Sequence, residues 1–419
     1  MTTRFIQIHT LTPYHASLLN RDDAGFAKRI PFGGAVRTRI SSQCLKRHWR
    51  RHGLTSEGIP DGVTPDSLAN ISGMDLAIRS RITFDREIRA PLIGLGVSAE
   101  IAEVATNWVR DAVLGESGES APPAEEGSAK GKKTKEVRDQ PSATEQVTVL
   151  GKVELAYLLH VAATVAKLIG EGTALQTDKK KRAKQIKDII KSEIDAGNLQ
   201  ALKRGAEGLD AAVFGRMVTS DILSRTDAAV HVAHAFTVHA EDSESDYFSA
   251  IDDLTADAGE LGSGHINSTE LTTGLFYSYV CIDLGQLRKN LIGVNHDDET
   301  VAEVVRRLIH TIASVSPGAK KGSTAPFSRA HCVLVEVGDA QPRSLANAFL
   351  KPVSERPDVL ANAYAALGGH LAEMDGMYAT GEQRKGAAIG PKGKLGLPEA
   401  ALAASLAEVA DFAALATME

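Results

Sequence analysis

Cysteine is scarce in this 419-residue chain. Cys44, Cys281 and Cys332 stand far apart, which excludes a disulfide framework and a zinc pattern and fits a reducing cytoplasm. Aromatic residues are only 5% of the chain. No stretch approaches the roughly 18 consecutive apolar residues of a transmembrane helix. The start, Met1-Thr-Thr-Arg-Phe-Ile-Gln-Ile-His9, enters a strand-like pattern directly and is not a signal peptide. A cytoplasmic protein without a membrane partner is therefore expected. Gly-x-Ser-x-Gly, His-Glu-x-x-His and Cys-x-x-Cys are all missing, which is mild evidence against a hydrolase. One absence is local. From Thr226 to Leu287 there is no Lys or Arg, but there are eleven Asp and Glu residues.

The opposite bias marks the other end. Residues 1–53 hold ten Lys and Arg against Asp22 and Asp23, although the whole chain carries a net charge of −6. A basic end and an acidic stretch allow one surface to bind an anion and another to bind something basic, including a second copy. Hydrophobic residues make up 43% of the chain, enough for one large domain with insertions or two ordinary ones.

Along the chain, Arg4 to Leu11 reads as a strand, with Ile6 and Ile8 on one face and Gln7 and His9 on the other. Gly33-Gly34 marks a tight turn. Val36 to Ile40 reads as a short strand with Arg37 and Arg39 on one face. Ser41 or Ser42 caps a helix to about Arg51, with Leu45 and Trp49 toward the core. Gln43, Lys46 and Arg50 fall at i, i+3 and i+7 and form a polar, cationic stripe. The N-terminus of that helix keeps N–H groups available for a phosphate.

Residues from about 60 to 205 read as helical. Gly115 to Gln146 has no aromatic residue and reads as a disordered loop. Val149 to Ile169 is a strong apolar helix, and Lys179 to Ile194 an amphipathic one. Glu241 to Ser268 resembles a long protruding loop. Gly274–Leu284 and Ala330–Val337 read as strands, and Thr300–Ser314 as a helix. The order suggests a split α+β sheet domain of the ferredoxin-like kind. In the tail, Gly381 to Gly396 reads as a loop. An amphipathic helix follows with Leu402, Leu406, Val409, Phe412 and Leu415 in phase.

Each constellation has a functional and a plain reading. The basic segment Arg21–Arg51 is a phosphate-tracking surface or an ordinary charged face. His231, His234 and His239 lack a carboxylate at ligand spacing and read as structural rather than metal-binding. Gly318-Ala-Lys-Lys-Gly-Ser-Thr324 misses the phosphate-loop spacing, which rejects nucleotide hydrolysis but leaves Lys320 and Lys321 as backbone-phosphate contacts. His9, Tyr14 and His15 have the chemistry to cleave RNA by acid–base catalysis, but nothing fixes their mutual geometry. Met217, Tyr247 and Phe248 either touch bases or anchor to a core.

Several blocks, taken together, resemble the CasC-type backbone subunit of Cascade, the type I-E CRISPR effector. They are Phe5-Ile-Gln-Ile-His9, Leu19-Asn-Arg-Asp-Asp23, Phe32-Gly-Gly34 and Arg39-Ile-Ser-Ser-Gln-Cys-Leu-Lys-Arg47, then Gly215-Arg-Met217, Ala233-His-Ala-Phe236, Asp246-Tyr-Phe248, Pro317-Gly-Ala-Lys320 and Ser344-Leu-Ala-Asn-Ala-Phe349. They run in family order from residue 5 to about 350. The Gly115–Gln146 insertion departs from the family pattern, and the C-terminal 70 residues match it loosely.

The resemblance implies an α+β fold, a modified RNA-recognition-motif (ferredoxin-like) palm with helical fingers and a long thumb loop. The palm would take residues 1–59, 208–239 and 274–350. The fingers would take 60–207, the thumb loop 240–273, and a C-terminal helical segment 351–419. It implies a non-catalytic subunit that polymerises along the spacer of a guide RNA (crRNA), kinks it at regular intervals and presents it to target DNA. Pairing then reads the sequence while the protein holds backbone and shape. Neighbouring copies and the large, small and guide-end subunits of Cascade would be partners, with no cofactor, metal or catalytic residue.

By the same resemblance, Arg21, Lys28, Ser41, Gln43, Lys46 and Arg50 grip guide phosphates. Asn20, Arg37, Arg39, Ser42, Arg216 and Lys320 complete the RNA-binding set. Met217 wedges against bases, and Phe248 packs at the displaced base. The alternative is a guide-processing endoribonuclease with the same sheet motif. A DNA-binding regulator is a third reading, and the Ser41–Arg51 helix, with mostly phosphate-type side chains, serves it poorly.

Overall fold

The computed structural model describes residues 3–114, 141–171, 181, 184–185, 188, 207–217, 223, 225–241, 243–250, 265–291, 297–318 and 324–418, with backbone alone for 243–245, 247–250 and 265–269. The expected loop at 115–146 and helix at 179–194 fall mostly outside them, as does Lys320.

In chain order the strands are β1 (Phe5–Ser17), β2 (Arg29–Phe32), β3 (Ala35–Ile40), β4 (Ile78–Ser80), β5 (Thr148–Leu150), β6 (Val230–Val232), β7 (Ala235–Thr237), β8 (Ser243–Ala250), β9 (His265–Asp283), β10 (Cys332–Gly338) and β11 (Gln383–Ala388). The helices are α1 (Ser42–Arg51), α2 (Ala90–Gly94), α3 (Ala99–Leu114), α4 (Lys152–Gly170), α5 (Leu209–Phe214), α6 (Leu284–Leu291), α7 (Asp298–Ser314), α8 (Val359–Tyr378) and α9 (Leu406–Leu415).

The chain forms two compact units. The first comprises Met1–Asn70, Val230–Leu284 and Asp298–Glu419. Its sheet runs β11-β10-β1-β9-β7-β3-β2, with β6 and β8 also paired to β9. Every pairing is antiparallel. β1 lies between β10 and β9, with Ile8 opposite Val335 on one side and Val280 on the other. Both faces of β1 are covered. Ile6 and Ile8 are buried as the alternation suggests, but so are Gln7 and His9. On one face, Leu11, Tyr277 and Leu334 pack with Phe349, Tyr364 and Leu367 of the C-terminal region. α7 touches β1 and packs on α9, where Arg306 reaches Asp411 at 2.9 Å.

The β2–β3 turn holds Gly33 at φ +61° and Gly34 at φ +79°. Two positive φ angles in a two-residue hairpin loop favour glycine strongly. A Cβ on Gly33 would also fall 1.5 Å from the Leu350 carbonyl oxygen.

Two segments that read as loops are strands. The acidic segment after Glu241 begins and ends in paired strand, because Ser243–Ala250 pairs residue for residue with His265–Thr272 of β9. Residues 251–264 between these arms lie outside the described set. Gln383–Ala388 pairs along β10, so the tail is not purely helical and its Gly-rich stretch holds a sheet edge. In α9 the buried residues are Val409, Ala410, Ala413 and Ala414, while Leu415 is exposed. Val409 is buried as its phase suggests, and the small side chains of Ala410, Ala413 and Ala414 make the rest of that contact.

The second unit comprises Ile71–Ala229 and Gly285–Asp297. Its core joins Phe84, Ile88 and Leu92 to Val109 of α3 and to Leu158, Val161 and Val165 of α4. α4 is long and apolar enough to cross a membrane by length and composition, yet these residues build a core with it. Asn290 of α6 donates to the carbonyls of Ala212 and Asp227 at 2.7 and 2.8 Å.

Candidate nucleic-acid interface

The densest cationic region sits on the first unit, from the end of β1 through α1. α1 starts where expected. The Ser41 hydroxyl accepts from the Cys44 N–H at 3.3 Å, and the Ser41 N–H donates to Asn20 Oδ1 at 2.9 Å. Leu45 and Trp49 are buried, which turns Gln43, Arg47 and Arg51 outward, with Lys46 and Arg50 half-buried beside them. Its first turn carries no acid, while its last turn holds His48, Arg50 and Arg51, which suit the negative end of the helix dipole.

Beside it, Asp22, Asp23, Ala27, Lys28, Arg29 and Arg39 line an open cleft of about 430 Å³. The segment 20–28 is held by its own backbone. Lys28 N–H donates to the Asn20 carbonyl at 3.0 Å, and Arg39 N–H to the Lys28 carbonyl at 2.7 Å. Arg39 also reaches His234 Nδ1 at 2.8 Å. Burial, with Arg39 and Lys28 nearby, holds His234 below the usual imidazole range, so the ring stays neutral and accepts that bond. Arg29 is clamped by Glu241 and Glu270. Two acids of the acidic stretch thus answer a cation of the basic end within one chain.

The expected RNA-binding residues divide accordingly. Asn20, Arg21, Lys28, Arg39, Ser41, Ser42, Gln43, Lys46 and Arg50 all lie on this face or its edge. Ser41 is buried and its hydroxyl caps α1. Arg37 does not belong to the surface. It is fully buried, and its guanidinium donates to the carbonyls of Thr237, His239 and Phe349 at 2.9, 3.1 and 2.9 Å. Val36, not Arg37, faces solvent. Arg47 and Arg51 were off the expected stripe, yet they are among the most exposed cations of α1. No ion pair joins either to a carboxylate among the described residues. The dense KRxxRR run was their signal.

In the second unit, Arg216 is also structural. Its side chain is buried against Glu154, with paired bonds of 2.6 and 2.8 Å. Gly215, at φ +81°, brings the chain against Ala228, where a Cβ would fall 2.9 Å from the backbone nitrogen. Met217 follows directly and is 90% exposed, so it anchors no core. Of Phe248 only the backbone, within β8, is described.

The histidine candidates separate too. His9 is fully buried, 2.9 Å from the Tyr277 hydroxyl and 3.0 Å from Glu336. Tyr14 is buried as well, and that burial pushes its hydroxyl up to about 12. His15 is exposed. Among the described residues no cluster of His, Cys, Asp and Glu could hold a metal ion.

Comparison with solved structures defines the class. A chain described as "CRISPR RNA-guided surveillance complex, pre-nicking" is similar with a TM-score of 0.76 and 25% identity, over 99% of this chain and 100% of that one. Another, described as "CRISPR RNA-guided surveillance complex", has a TM-score of 0.66 and 21% identity over 98% and 99%, and speaks to fold. The mixed α/β architecture with its antiparallel sheet is that of a CRISPR-complex subunit. The sequence matches the Cas family described as CT1975-like protein over residues 6–412, and the chain belongs to that family. No curated protein matches it.

Proposed function

We propose that this protein is a non-catalytic, guide-RNA-binding backbone subunit of a Cascade-type CRISPR effector of type I-E. One observation carries the reading: a family member that aligns end to end with a surveillance-complex chain exposes a cationic helix face with no acid in its first turn. Several cations on one face are what a polyanion requires, because each neutralised phosphate releases counterions. Here Lys46, Arg47, Arg50 and Arg51 of α1 hold guide phosphates, with Arg21, Lys28 and Arg39 continuing the track.

In this reading the antiparallel sheet around β1 is a modified RNA-recognition-motif palm. The β8–β9 hairpin is the thumb that crosses the guide, Phe248 packs at a displaced base, and Met217 wedges against bases. Copies stack along the spacer in the cytoplasm, other Cascade subunits close the ends, and guide pairing selects the target DNA. The endoribonuclease alternative has less support. Two of its three candidate residues, His9 and Tyr14, are buried.

The test is nuclease protection. The chain is co-expressed with a guide RNA, the complex is isolated by size and digested with RNase. Protection along the spacer with regularly repeated sensitive positions is expected. A guide cut at one defined position, with cutting lost in His15→Ala, would replace this reading with the nuclease. A monomer without RNA would remove both.

A further inference from the structure

The loop between α7 and β10 carries Phe327, a ring 74% exposed. A phenylalanine in that position forgoes the burial that normally holds the residue in a core. The loop around it is fastened. The Ser316 hydroxyl donates to the Ser328 carbonyl at 2.6 Å and accepts from the Ser328 N–H at 2.9 Å. Phe327 N–H donates to the Ala325 carbonyl at 2.8 Å.

The same loop is stapled to α1. Pro326 packs on Gly318 so closely that a Cβ there would come 2.4 Å from the proline ring. Gly318 N–H in turn points at His48 Nε2 of α1, 3.4 Å away. His48 Nδ1 donates to the Cys44 carbonyl at 2.8 Å, which leaves Nε2 as the acceptor and fixes the tautomer. Arg47 and Arg51, both exposed, are the residues just before His48 and one turn after it. An exposed aromatic ring is therefore held at a fixed place beside the cationic face.

We infer that Phe327 is a nucleobase-stacking platform, on which one base of a single-stranded RNA rests while α1 holds the neighbouring phosphates. Cations and a ring divide the work of holding a single strand. The cations track the backbone, and the ring offers a flat apolar face that any base accepts. The inference rests on the RNA-binding reading above and adds a contact distinct from Met217 and Phe248.

The full chain is titrated with a single-stranded RNA and with an abasic RNA of equal length, each at several salt concentrations. Phe327→Ala is expected to weaken binding to the base-containing RNA by about 5- to 100-fold. It should match wild type on the abasic strand and leave the slope of affinity against salt unchanged. Phe327→Trp should bind as wild type, and its added emission should be quenched by RNA beyond any change from Trp49 and Trp108. Tyr378→Ala, at another exposed aromatic, should bind both strands as wild type. Wild-type affinity in Phe327→Ala, an equal loss on abasic RNA, or an equal loss in Tyr378→Ala would each overturn the inference. Unaltered RNA binding with failed assembly would mark Phe327 as a protein contact instead. A wild-type chain that binds neither strand would overturn the RNA-binding reading, and this inference with it.

Discussion

Glu336 sits inside the sheet with no exposed surface, and three side chains close on its carboxylate. His9 approaches at 3.0 Å, Arg343 at 2.7 and 3.0 Å, and Arg384 at 2.5 Å. Burial alone would raise this carboxyl, but the bonds from His9 and Arg343 outweigh it and hold it well below the usual range. A depressed carboxyl stabilises the fold fully above its unfolded value of about 4.3 and progressively less as pH falls below it. Removing one partner of a buried, paired charge costs about 3–5 kcal/mol. Glu336→Gln should therefore lower unfolding free energy by about that much at neutral pH, with the gap to wild type closing below about pH 4. Denaturant unfolding across pH 3–7 checks both, and a constant gap would mean that the native carboxylate is not what stabilises. The same physics limits reading charge from sequence. Leu45 and Trp49 were legible because a helix repeats locally. Arg37 was not, because its carbonyl partners come from residues 237, 239 and 349.

Arg216 shows how one buried side chain organises an element. Its backbone pairs with Thr226 in both directions, at 2.8 and 3.1 Å, closing the base of the segment that begins with Met217. Its guanidinium grips Glu154, whose carboxylate also accepts from the Gly151 N–H at 2.9 Å and so caps α4. Helix start and loop base thus share one carboxylate. Glu154→Gln should cost the fold about 3–5 kcal/mol. It should also speed amide exchange at Gly151 and at Arg216 and Thr226 together. Faster exchange at Gly151 alone would show that helix cap and loop base are independent. Elements were legible where period or capping marks them, as in α1, α4 and α7. β8 was not, since its acids and serines carry no apolar alternation and its extended shape comes from pairing with β9. β11 was obscured in the same way by flanking glycines and lysines, and becomes a strand through register with β10.

At the scale of the whole molecule, the net charge of −6 hides a segregated distribution, with ten cations and two acids in the first 53 residues. Not all ten are available to a polyanion. Arg37 is buried, and Arg29 is held by Glu241 and Glu270. Arg4 is exposed at the opposite end of β1, beside Asp339, and the remaining seven lie on α1 and around the cleft beside it. Binding there should weaken steeply with salt, because each contacted phosphate of a single strand contributes about −0.7 to the slope of log affinity against log salt. Lys46→Ala with Arg50→Ala should therefore weaken guide binding and flatten that slope by about 1.4 per protomer. Arg47→Ala with Arg51→Ala should do the same if the track covers the exposed side of α1, as the burial of Leu45 and Trp49 requires. Equilibrium binding to one RNA from low to high salt measures both pairs. A flattened slope in the first pair alone would confine the phosphates to the Gln43–Arg50 stripe. Unchanged affinity and slope in both pairs would remove α1 from the interface and leave the cleft at Lys28 and Arg39 as its remaining cationic site.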